Sequence, residues 1–551
     1  MKTTPDLGGL KWIRTMWGLE PRWSVELDED AIKETVQAAL HLTGIFDIEF
    51  LAKGVFNRLY TLKSADKELV ARVTLPIDPK WKTLSEVATM QWVTQNTSLP
   101  VPRVLAYNAV RSNPIGFEWI VMDKVPGKPW ADIWQSISFG AKTKIVCQVA
   151  LFCSNTFQKQ MTGIGSLFKH TDELKFTSTQ LNKTWSPSAS LLEESSPLDS
   201  SHDREPDDIE SCTSSTFHLG RTVSTSFITR ATHANVSYGP FATGRDWLCA
   251  RLDVAERDCR HRLAIVKRCA LKTENEQQEQ PKHMQTVTKT IREDHNDENT
   301  DRESDQPEQI NQGCVEDDID EVAKCFQVSI DQGSLSIIEG QVIAEDEDPE
   351  LGSESDKDED DEEEDLEDLE NSLLIIAKLR NQLDNFFPKA QPDSSPEPSM
   401  IFHDDLSRHN ILIDENGLLS AVVDWECVST LPLSIACQYP SFLQGHTLDT
   451  EPIKSKYQHD EDGEVTELYW EHLENYELTQ LRRVFLEEMQ KLQPGWVKVF
   501  YSSKRQRDYV LALEAFDDLF MIRRILSWLE DVESEKSVFP GLEDRIDAGT
   551  L

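Results

Sequence analysis

The residues of this chain that are best placed to do chemistry lie between positions 401 and 425. His403, Asp405 and Asn410 follow the order His-x-Asp-Leu-x-x-x-Asn, and Asp424 comes fourteen residues after Asn410. Phosphoryl transfer depends mostly on positioning and on neutralising charge. An ionised Asp405 would accept the proton of an attacking hydroxyl, and oxygens of Asn410 and Asp424 suit a Mg²⁺ ion that bridges nucleotide phosphates. The pattern predicts an ATP- and Mg²⁺-dependent phosphotransfer site.

A hairpin is expected to bring these residues together. The apolar stretch 410–413 predicts a short strand, Asp414 to Gly417 a turn, and 418–423 a second strand. Such a hairpin would return Asp424 to the side of Asn410. The alternative is a chance match on a loop, since Asp, Asn and His are ordinary turn residues. The several fixed positions and the predicted hairpin make chance the weaker interpretation.

A nucleotide-binding region should precede this motif, and residues 50–127 fit that expectation. Residues 50–62 predict two strands with Gly54 at the turn, where backbone amides near Gly54 and Asn57 would approach phosphates. A single glycine is weak support, because any hairpin turn can contain one. The next predicted strand, 68–73, contains Arg72 near its end, where a cation would hold the nucleotide phosphates.

Two further elements complete the predicted nucleotide site. Glu86 lies on a predicted helix and would pair with Arg72, although an ordinary surface ion pair is the simpler interpretation of that pair alone. The apolar strand 117–122 leads into 123–127, and Met122 and Lys124 are predicted to lie where backbone groups receive adenine.

Several segments together resemble the aminoglycoside phosphotransferase and choline kinase superfamily, and in particular fungal phosphotransferase-family proteins of the altered-inheritance-of-mitochondria type. The segments are FLAKGVFNRLY, TLSEVATM, LPVPRVLAY, PIGFEWIVMDKVPGKP, IFHDDLSRHNILIDENG, VVDWECV and YELTQLRRVFLEEM. The resemblance implies an α+β, protein-kinase-like bilobal fold with a small β-rich N-lobe and a larger helical C-lobe. It also implies that Asp405 is the catalytic base, that His403 braces the loop, and that Asn410 and Asp424 are metal ligands.

The expected domain boundaries follow from composition and from this resemblance. They are 1–126 for the N-terminal region and nucleotide-binding lobe, 127–176 for the start of the helical C-lobe, 177–236 for a disordered insertion, 237–272 for a C-lobe helix, 273–371 for a disordered acidic insertion, and 372–551 for the remaining C-lobe. The insertions are polar and cannot bury enough apolar surface to offset the entropy of ordering.

Amphipathic patterns predict the helices of the C-lobe. One helix is expected within 239–271, docked on the larger lobe through Trp247, Leu248, Leu252, Leu263 and Ile265. Another is expected at 373–387, and two more at 467–491 and about 508–532.

The chain departs from the family pattern in two places. Arg72 stands where the resemblance implies a lysine, and arginine cannot be assumed to make the same contact. After Asp424 the chain reads Glu-Cys-Val-Ser-Thr-Leu-Pro-Leu, without the Gly-Asp-Pro turn of the bacterial antibiotic kinases. The acceptor therefore remains open, with a small molecule preferred. A catalytically inactive nucleotide-binding scaffold is the main alternative; a protein kinase is disfavoured because DFG and APE signatures are lacking.

Charge and composition limit the partners. The formal net charge of -42 disfavours nucleic acid and anionic membranes. Much of this charge lies in 345–370, which predicts a solvated tether or a docking segment for a basic protein partner.

The ten cysteines form no CxxC pair, and Cys427 is a candidate reactive thiol. Without an apolar run of about 18 residues a membrane span is not expected, and we expect a cytoplasmic protein, with mitochondria as the alternative.

Overall fold

The structure is a computed structural model that describes residues 8–15, 18–42, 46–65, 67–170, 216–228, 236–278, 366–391, 394–459, 464–534 and 540–548. These residues form a mixture of helix and sheet, which confirms the expected class at that level. Most of the predicted insertions, including residues 345–365 of the acidic run, lie outside the described residues.

The strands form short sheets around one larger, five-stranded antiparallel sheet. They are β1 Leu10–Thr15, β2 Gly18–Trp23, β3 Asp47–Lys53, β4 Asn57–Lys63, β5 Glu68–Thr74, β6 Val104–Asn108, β7 Glu118–Asp123, β8 Lys128–Pro129, β9 Met161–Thr162, β10 Leu167–Lys169, β11 Phe217–Leu219, β12 Pro398–Phe402, β13 Ile411–Ile413, β14 Leu419–Val422 and β15 Ser429–Pro432. The large sheet has the order β3-β4-β5-β7-β6.

The helices lie mostly in the second half of the chain. They are α1 Glu29–Ala39, α2 Trp81–Asn96, α3 Trp130–Ile133, α4 Phe139–Gln158, α5 Gly244–Gln278, α6 Leu366–Phe386, α7 Leu433–Ala436, α8 Glu467–Leu492, α9 Pro494–Ser502, α10 Lys504–Glu514, α11 Ile522–Glu533 and α12 Leu542–Asp547, with 3₁₀ turns at Thr225–Phe227, Ser441–Leu443 and Lys454–Lys456.

Successive side chains of β5 pack into two different cores, one on each face of the large sheet. Leu69 and Ala71 belong to a core shared with α1, whereas Val70 belongs to the main core, which includes α2. Because successive side chains of a strand point to opposite faces, Arg72 lies on the α2 side with Val70 and Thr74. The sheet therefore presents one row of β5 side chains to the space between α2 and the rest of the molecule.

The main core continues from α2 into the helices of the second half. Its largest fully buried side chains include Trp130, Trp425, Trp496 and Trp528. Burying a large aromatic side chain stabilises a fold by about 2 to 3 kcal/mol. Trp425 directly follows Asp424, so the same packing that stabilises the core also fixes the position of a predicted site residue.

Four predictions about these regions need correction. Residues 216–228, predicted to lie in a disordered insertion, contain β11, which pairs with β10, and bury Val223 and Phe227. Their apolar side chains find partners only in the tertiary structure. Ile265 is 39% exposed, because the helix runs past the core that buries Trp247. The helices also extend into the predicted acidic insertion, to residue 278 and from residue 366, and the expected C-terminal helix at 508–532 is divided between α10 and α11.

Candidate functional site

The predicted hairpin is present and joins the two halves of the motif. β13 pairs with β14 so that Ile411 lies opposite Val422. The amide of Val423 then donates a hydrogen bond to the carbonyl of Asn410 at 2.8 Å. Asp424 is the next residue, and its φ of +61° lies in the left-handed region, which aspartate tolerates better than most residues. The hairpin thus returns Asp424 to the side of Asn410.

Asn410 also fixes Asp405. Its side-chain Nδ2 donates to the Asp405 carbonyl at 3.0 Å and to Asp405 Oδ2 at 2.7 Å. The remaining oxygen of that carboxyl, Asp405 Oδ1, is buried and accepts no hydrogen bond from the residues that the structure describes, and the same holds for Asp424 Oδ1. Buried oxygens without a donor are costly unless a ligand or ion satisfies them. Asp424 Oδ1 also lies 3.3 Å from Arg72 Nη1, so Asp405 Oδ1 is the less compensated of the two. Two carboxylate oxygens beside an amide are a donor set that fits a hard cation.

Burial and neighbouring carboxylates raise the pKa of Asp405 and of Asp424. Burial, followed by the charges of Asp424 and Asp404, raises the pKa of Asp405 to about 8. Burial and the neighbouring Glu426 raise the pKa of Asp424 to about 6, although Arg72 acts in the opposite direction. A bound cation would favour the ionised forms of both groups.

His403 is packed inside the protein against Trp425. The side chain is buried, and its ring lies 4.7 Å from the Trp425 ring. Burial lowers the pKa of His403 to about 4, so the imidazole is neutral at physiological pH. This position agrees with the expectation that His403 braces the loop, a role that stays a prediction.

Cys427 lies just beyond these residues and is fully packed. Its side chain is buried, and burial raises the pKa of its thiol well above the usual value. A reactive cysteine needs an accessible thiolate. The hypothesis of a reactive Cys427 is therefore wrong for the folded protein.

Arg72 and Glu86 form a buried ion pair. Arg72 on β5 is 5% exposed and Glu86 on α2 is 2% exposed, and their side chains are directly hydrogen-bonded. The interpretation as a surface ion pair is therefore wrong. Arg72 also contacts Glu426, and its Nη1 lies 3.3 Å from Asp424 Oδ1, in ion-pair range but without hydrogen-bond geometry. The guanidinium joins the sheet to the residues that follow the hairpin.

Sequence reasoning missed two members of this cluster, Lys82 and Glu426. Lys82 lies on α2 in contact with Glu426, which accepts from Arg72 as well. Burial opposes ionisation of Glu426, but Lys82 and Arg72 outweigh it and lower its pKa to about 2. The sequence did contain a signal for Lys82, because it precedes Glu86 by four residues and therefore shares its helix face. No comparable signal marked Glu426, which is 354 residues from Arg72 along the chain.

The predicted phosphate hairpin lies beside this cluster. The Gly54 amide donates to the Asn57 carbonyl at 2.8 Å and closes the turn between β3 and β4. Asn57 is buried, and its Nδ2 donates to Glu426 at 2.9 Å. Asn57 thus lies within the cluster of ionic side chains, whereas Gly54 is exposed at the turn.

Met122 and Lys124 lie farther along the sheet. Ile120 pairs with Arg72 across the β5–β7 ladder, and Met122 lies two residues beyond it, opposite Val70. The Lys124 amide donates to the Glu68 carbonyl at 3.3 Å, and Lys124 Nζ pairs with the Glu68 carboxylate at 3.0 Å. The described contacts do not join either residue to the carboxylate cluster, so an adenine role for them stays a prediction.

The described part of the chain lacks both a preformed multi-ligand metal cluster and a membrane-spanning helix. No cluster of three or more His, Cys, Asp or Glu side chains is arranged to hold a metal ion. A Mg²⁺ ion that borrows ligands from nucleotide phosphates does not require one. Nor does any described helix combine the length and the apolar composition that crossing a membrane demands.

Comparison with protein families gives a match for part of the chain. Residues 341–434 match the model of the phosphotransferase enzyme family APH. That segment contains His403, Asp405, Asn410 and Asp424, together with part of the chain outside the described residues.

Fungal proteins show local similarity. A subtelomeric hrmA-associated cluster protein of Aspergillus fumigatus is 36% identical over 131 residues, 23% of this chain and 26% of that protein. Altered inheritance of mitochondria protein 9, mitochondrial, of Meyerozyma guilliermondii is 29% identical over 149 residues, 26% of this chain and 24% of that protein. The chain matches about a quarter of the length of these relatives.

A solved structure of the aminoglycoside phosphotransferase APH(4)-Ia, in complex with ADP and hygromycin B, is 12% identical with a TM-score of 0.35, over 94% of this chain and 97% of that one. The family-model match and the fungal sequence matches, taken together, agree with the resemblance that the motifs indicated, and over residues 341–434 the chain is similar to the APH phosphotransferase enzyme family.

Proposed function

We propose that this protein is a two-lobed, kinase-like phosphotransferase that moves the γ-phosphoryl group of ATP, with Mg²⁺, to a hydroxyl of a small-molecule acceptor. The observation that carries the proposal is the convergence of Asp405, Asn410 and Asp424, with two buried carboxylate oxygens that accept no hydrogen bond from the described residues. A purely structural loop has no need of two such oxygens, because each adds a desolvation cost.

Each residue of the hairpin site has one task in this proposal. Asp405 orients the acceptor hydroxyl and takes its proton, while Asn410 and Asp424 would hold Mg²⁺. The metal supplies charge neutralisation between the phosphates. The Asn410 amide group points its Nδ2 at Asp405, which leaves the amide oxygen as the candidate ligand. His403 holds the loop against Trp425 without carrying charge.

The nucleotide would lie between the large sheet and the hairpin. Gly54 and Asn57 would approach the phosphates, and Arg72, paired with Glu86 on α2, would anchor them from the sheet. The backbone near Met122 and Lys124 would receive adenine. Support comes from β5 and β7, because Arg72 and Met122 lie on the same face of the sheet two residue steps apart.

The acceptor is proposed only as an alcohol on a small molecule. The residues after Asp424 differ from those of the bacterial antibiotic kinases, so an aminoglycoside is not the expected acceptor. We keep a basic protein partner for 345–370 as a prediction. A cytoplasmic location is also kept as a prediction, beside the mitochondrial names of several relatives.

Calorimetric titration tests the proposal. ATP is titrated into the full chain with Mg²⁺ and with EDTA, and into the variants Asp424→Ala and Glu415→Ala. Glu415 is an exposed carboxylate on the same hairpin and serves as the matched control. We expect Mg²⁺ to tighten ATP binding at least tenfold in the wild type and in Glu415→Ala, and not in Asp424→Ala. ATP binding that does not depend on Mg²⁺ would favour the inactive scaffold. Absence of ATP binding would refute both the phosphotransferase and the nucleotide-binding scaffold.

Asp405→Asn separates binding from transfer. The substitution keeps the shape of the side chain and an acceptor for Asn410, but removes the base. MgATP affinity should stay within about twofold, while release of phosphate from ATP to water or to an acceptor falls about a hundredfold or more. A variant with wild-type turnover would remove Asp405 from the mechanism.

A further inference from the structure

Lys82 is the most deeply buried cation near the proposed nucleotide site. The residue is 1% exposed. Its Nζ donates to Thr74 Oγ1 at 2.7 Å and to Asn57 Oδ1 at 3.2 Å, and it forms an ion pair with Glu426. These partners come from the hairpin near Gly54, from the end of β5, and from the segment after Asp424. One ammonium group therefore joins the elements that are proposed to surround the phosphates.

The fold fixes Lys82 through the start of α2. Lys80, the residue before the helix, has a φ of +72°, and its amide donates to the Glu118 carboxylate at 2.6 Å. Thr83 Oγ1 donates to the other oxygen of Glu118 at 2.6 Å. This carboxylate on β7 takes the place of a side-chain cap and holds the first turn of the helix against the sheet. Lys82 and Glu86, four residues apart, then project toward the same space.

The charges of the cluster explain why a second cation is needed there. Burial opposes the charge of Arg72, but Glu86, Glu426 and Asp424 raise the pKa of its guanidinium. Arg72 is therefore already paired with carboxylates. Glu426 adds a negative charge two residues from Asp424, in a place where nucleotide phosphates would bring several more. With Arg72 alone, three carboxylates would face one cation. Lys82 reduces that imbalance, and its Nζ contacts Asn57 of the hairpin between β3 and β4.

We propose that Lys82, on helix α2, supplies the lysine ammonium that binds the nucleotide phosphates, in place of the lysine that β5 lacks. This inference depends on the proposed function. In this arrangement Arg72 holds Glu86 and Glu426 in position instead of anchoring the phosphates directly. The compact ammonium of Lys82 exchanges Glu426 for phosphate oxygens when nucleotide binds. The arginine at position 72 is then no argument for an inactive protein.

The competing explanation is that Lys82 is only a counter-ion that holds Glu426 in place. The two explanations differ in what Glu426 should do. If Lys82 acts only through Glu426, removing either charge should weaken nucleotide binding equally. If Lys82 contacts phosphates, removing Glu426 frees the ammonium and should weaken binding less than removing Lys82.

The experiment compares MgATP affinity by calorimetry in the wild type and in Lys82→Met, Lys80→Met, Glu426→Gln and the double variant Lys82→Met/Glu426→Gln. Lys80 is the matched control, because it carries the same charge two residues away and its Nζ lies over the Trp81 ring. We expect a loss of at least tenfold for Lys82→Met, less than twofold for Lys80→Met, and a smaller loss for Glu426→Gln than for Lys82→Met.

The double variant allows the comparison to be made even if Lys82→Met does not fold. Removing one member of a buried ion pair can unfold a protein, whereas removing both is tolerated better. If Lys82→Met does not fold, the double variant is compared with Glu426→Gln, and a tenfold loss is again expected. Affinity of Lys82→Met within twofold of wild type, or a Glu426→Gln loss as large as that of Lys82→Met, overturns the inference while leaving the proposed function intact. A wild type that binds no nucleotide refutes the proposed function itself.

Discussion

Replacing Asp405 with Asn should stabilise the ligand-free protein at alkaline pH, and the size of the effect follows from the site. In the unfolded chain an aspartate has a pKa near 3.8, whereas burial together with Asp424 and Asp404 raises the pKa of Asp405 to about 8. The folded state therefore holds a proton that the unfolded state has lost. Its stability falls as pH rises from about 4 to about 8. Asn cannot ionise, so the variant escapes this loss.

The magnitude comes from the pH interval. Between the two pKa values the free energy of unfolding falls by about 1.4 kcal/mol for each pH unit. The three pH units from pH 5 to pH 8 therefore lower it by at most about 4 kcal/mol. Asp405 is half-buried, and solvent screening reduces the effect to about 2 kcal/mol. For a folded body of roughly 400 residues, this corresponds to about 2 to 3 °C in Tm.

The assay is thermal unfolding of the wild type, Asp405→Asn and the control Glu415→Gln at pH 5 and pH 8, with EDTA present. At pH 5 the three proteins should unfold within about 1 °C of one another. At pH 8 the Asp405→Asn variant should be about 2 to 3 °C more stable than the wild type, and the exposed control should not be. A Tm difference that does not change with pH, or a less stable Asp405→Asn variant at pH 8, would refute the reasoning about carboxyl crowding.

The remaining predictions concern backbone strain, capping and reactivity. Gly127→Ala should cost about 2 to 4 kcal/mol by denaturant unfolding, because φ is +141° and the added Cβ would lie 2.6 Å from Ser420 Oγ. Gly116→Ala, with φ of +80° and nothing within 4 Å, should cost about 1 kcal/mol; equal costs would contradict the steric argument. Glu118→Ala leaves the start of α2 without an acceptor and should cost about 1 to 3 kcal/mol, so an unchanged unfolding midpoint would rule out the capping role. Cys427 should resist alkylation in the native protein and react after unfolding, as followed by mass spectrometry; rapid native modification would contradict its burial.

The sequence determined the local part of the site. The order of His403, Asp405 and Asn410, the turn at 414–417 and the position of Asp424 are all contained in one continuous segment. Their geometry depends on a hairpin, and hairpin register follows from local turn and strand preferences. The prediction that Asp424 lies beside Asn410 is borne out by the pairing of Ile411 with Val422.

Only the tertiary structure decided how charge is arranged around that hairpin. Whether Arg72 and Glu86 form a surface pair or a buried one depends on which face of β5 packs against α2. Lys82 and Glu426 meet across 344 positions of sequence, and their contact requires the sheet, α2 and the hairpin to be assembled at once. Spacing predicts which residues share a helix face or a hairpin, because those relations are periodic. It does not predict contacts between distant elements, since these depend on packing of the whole core.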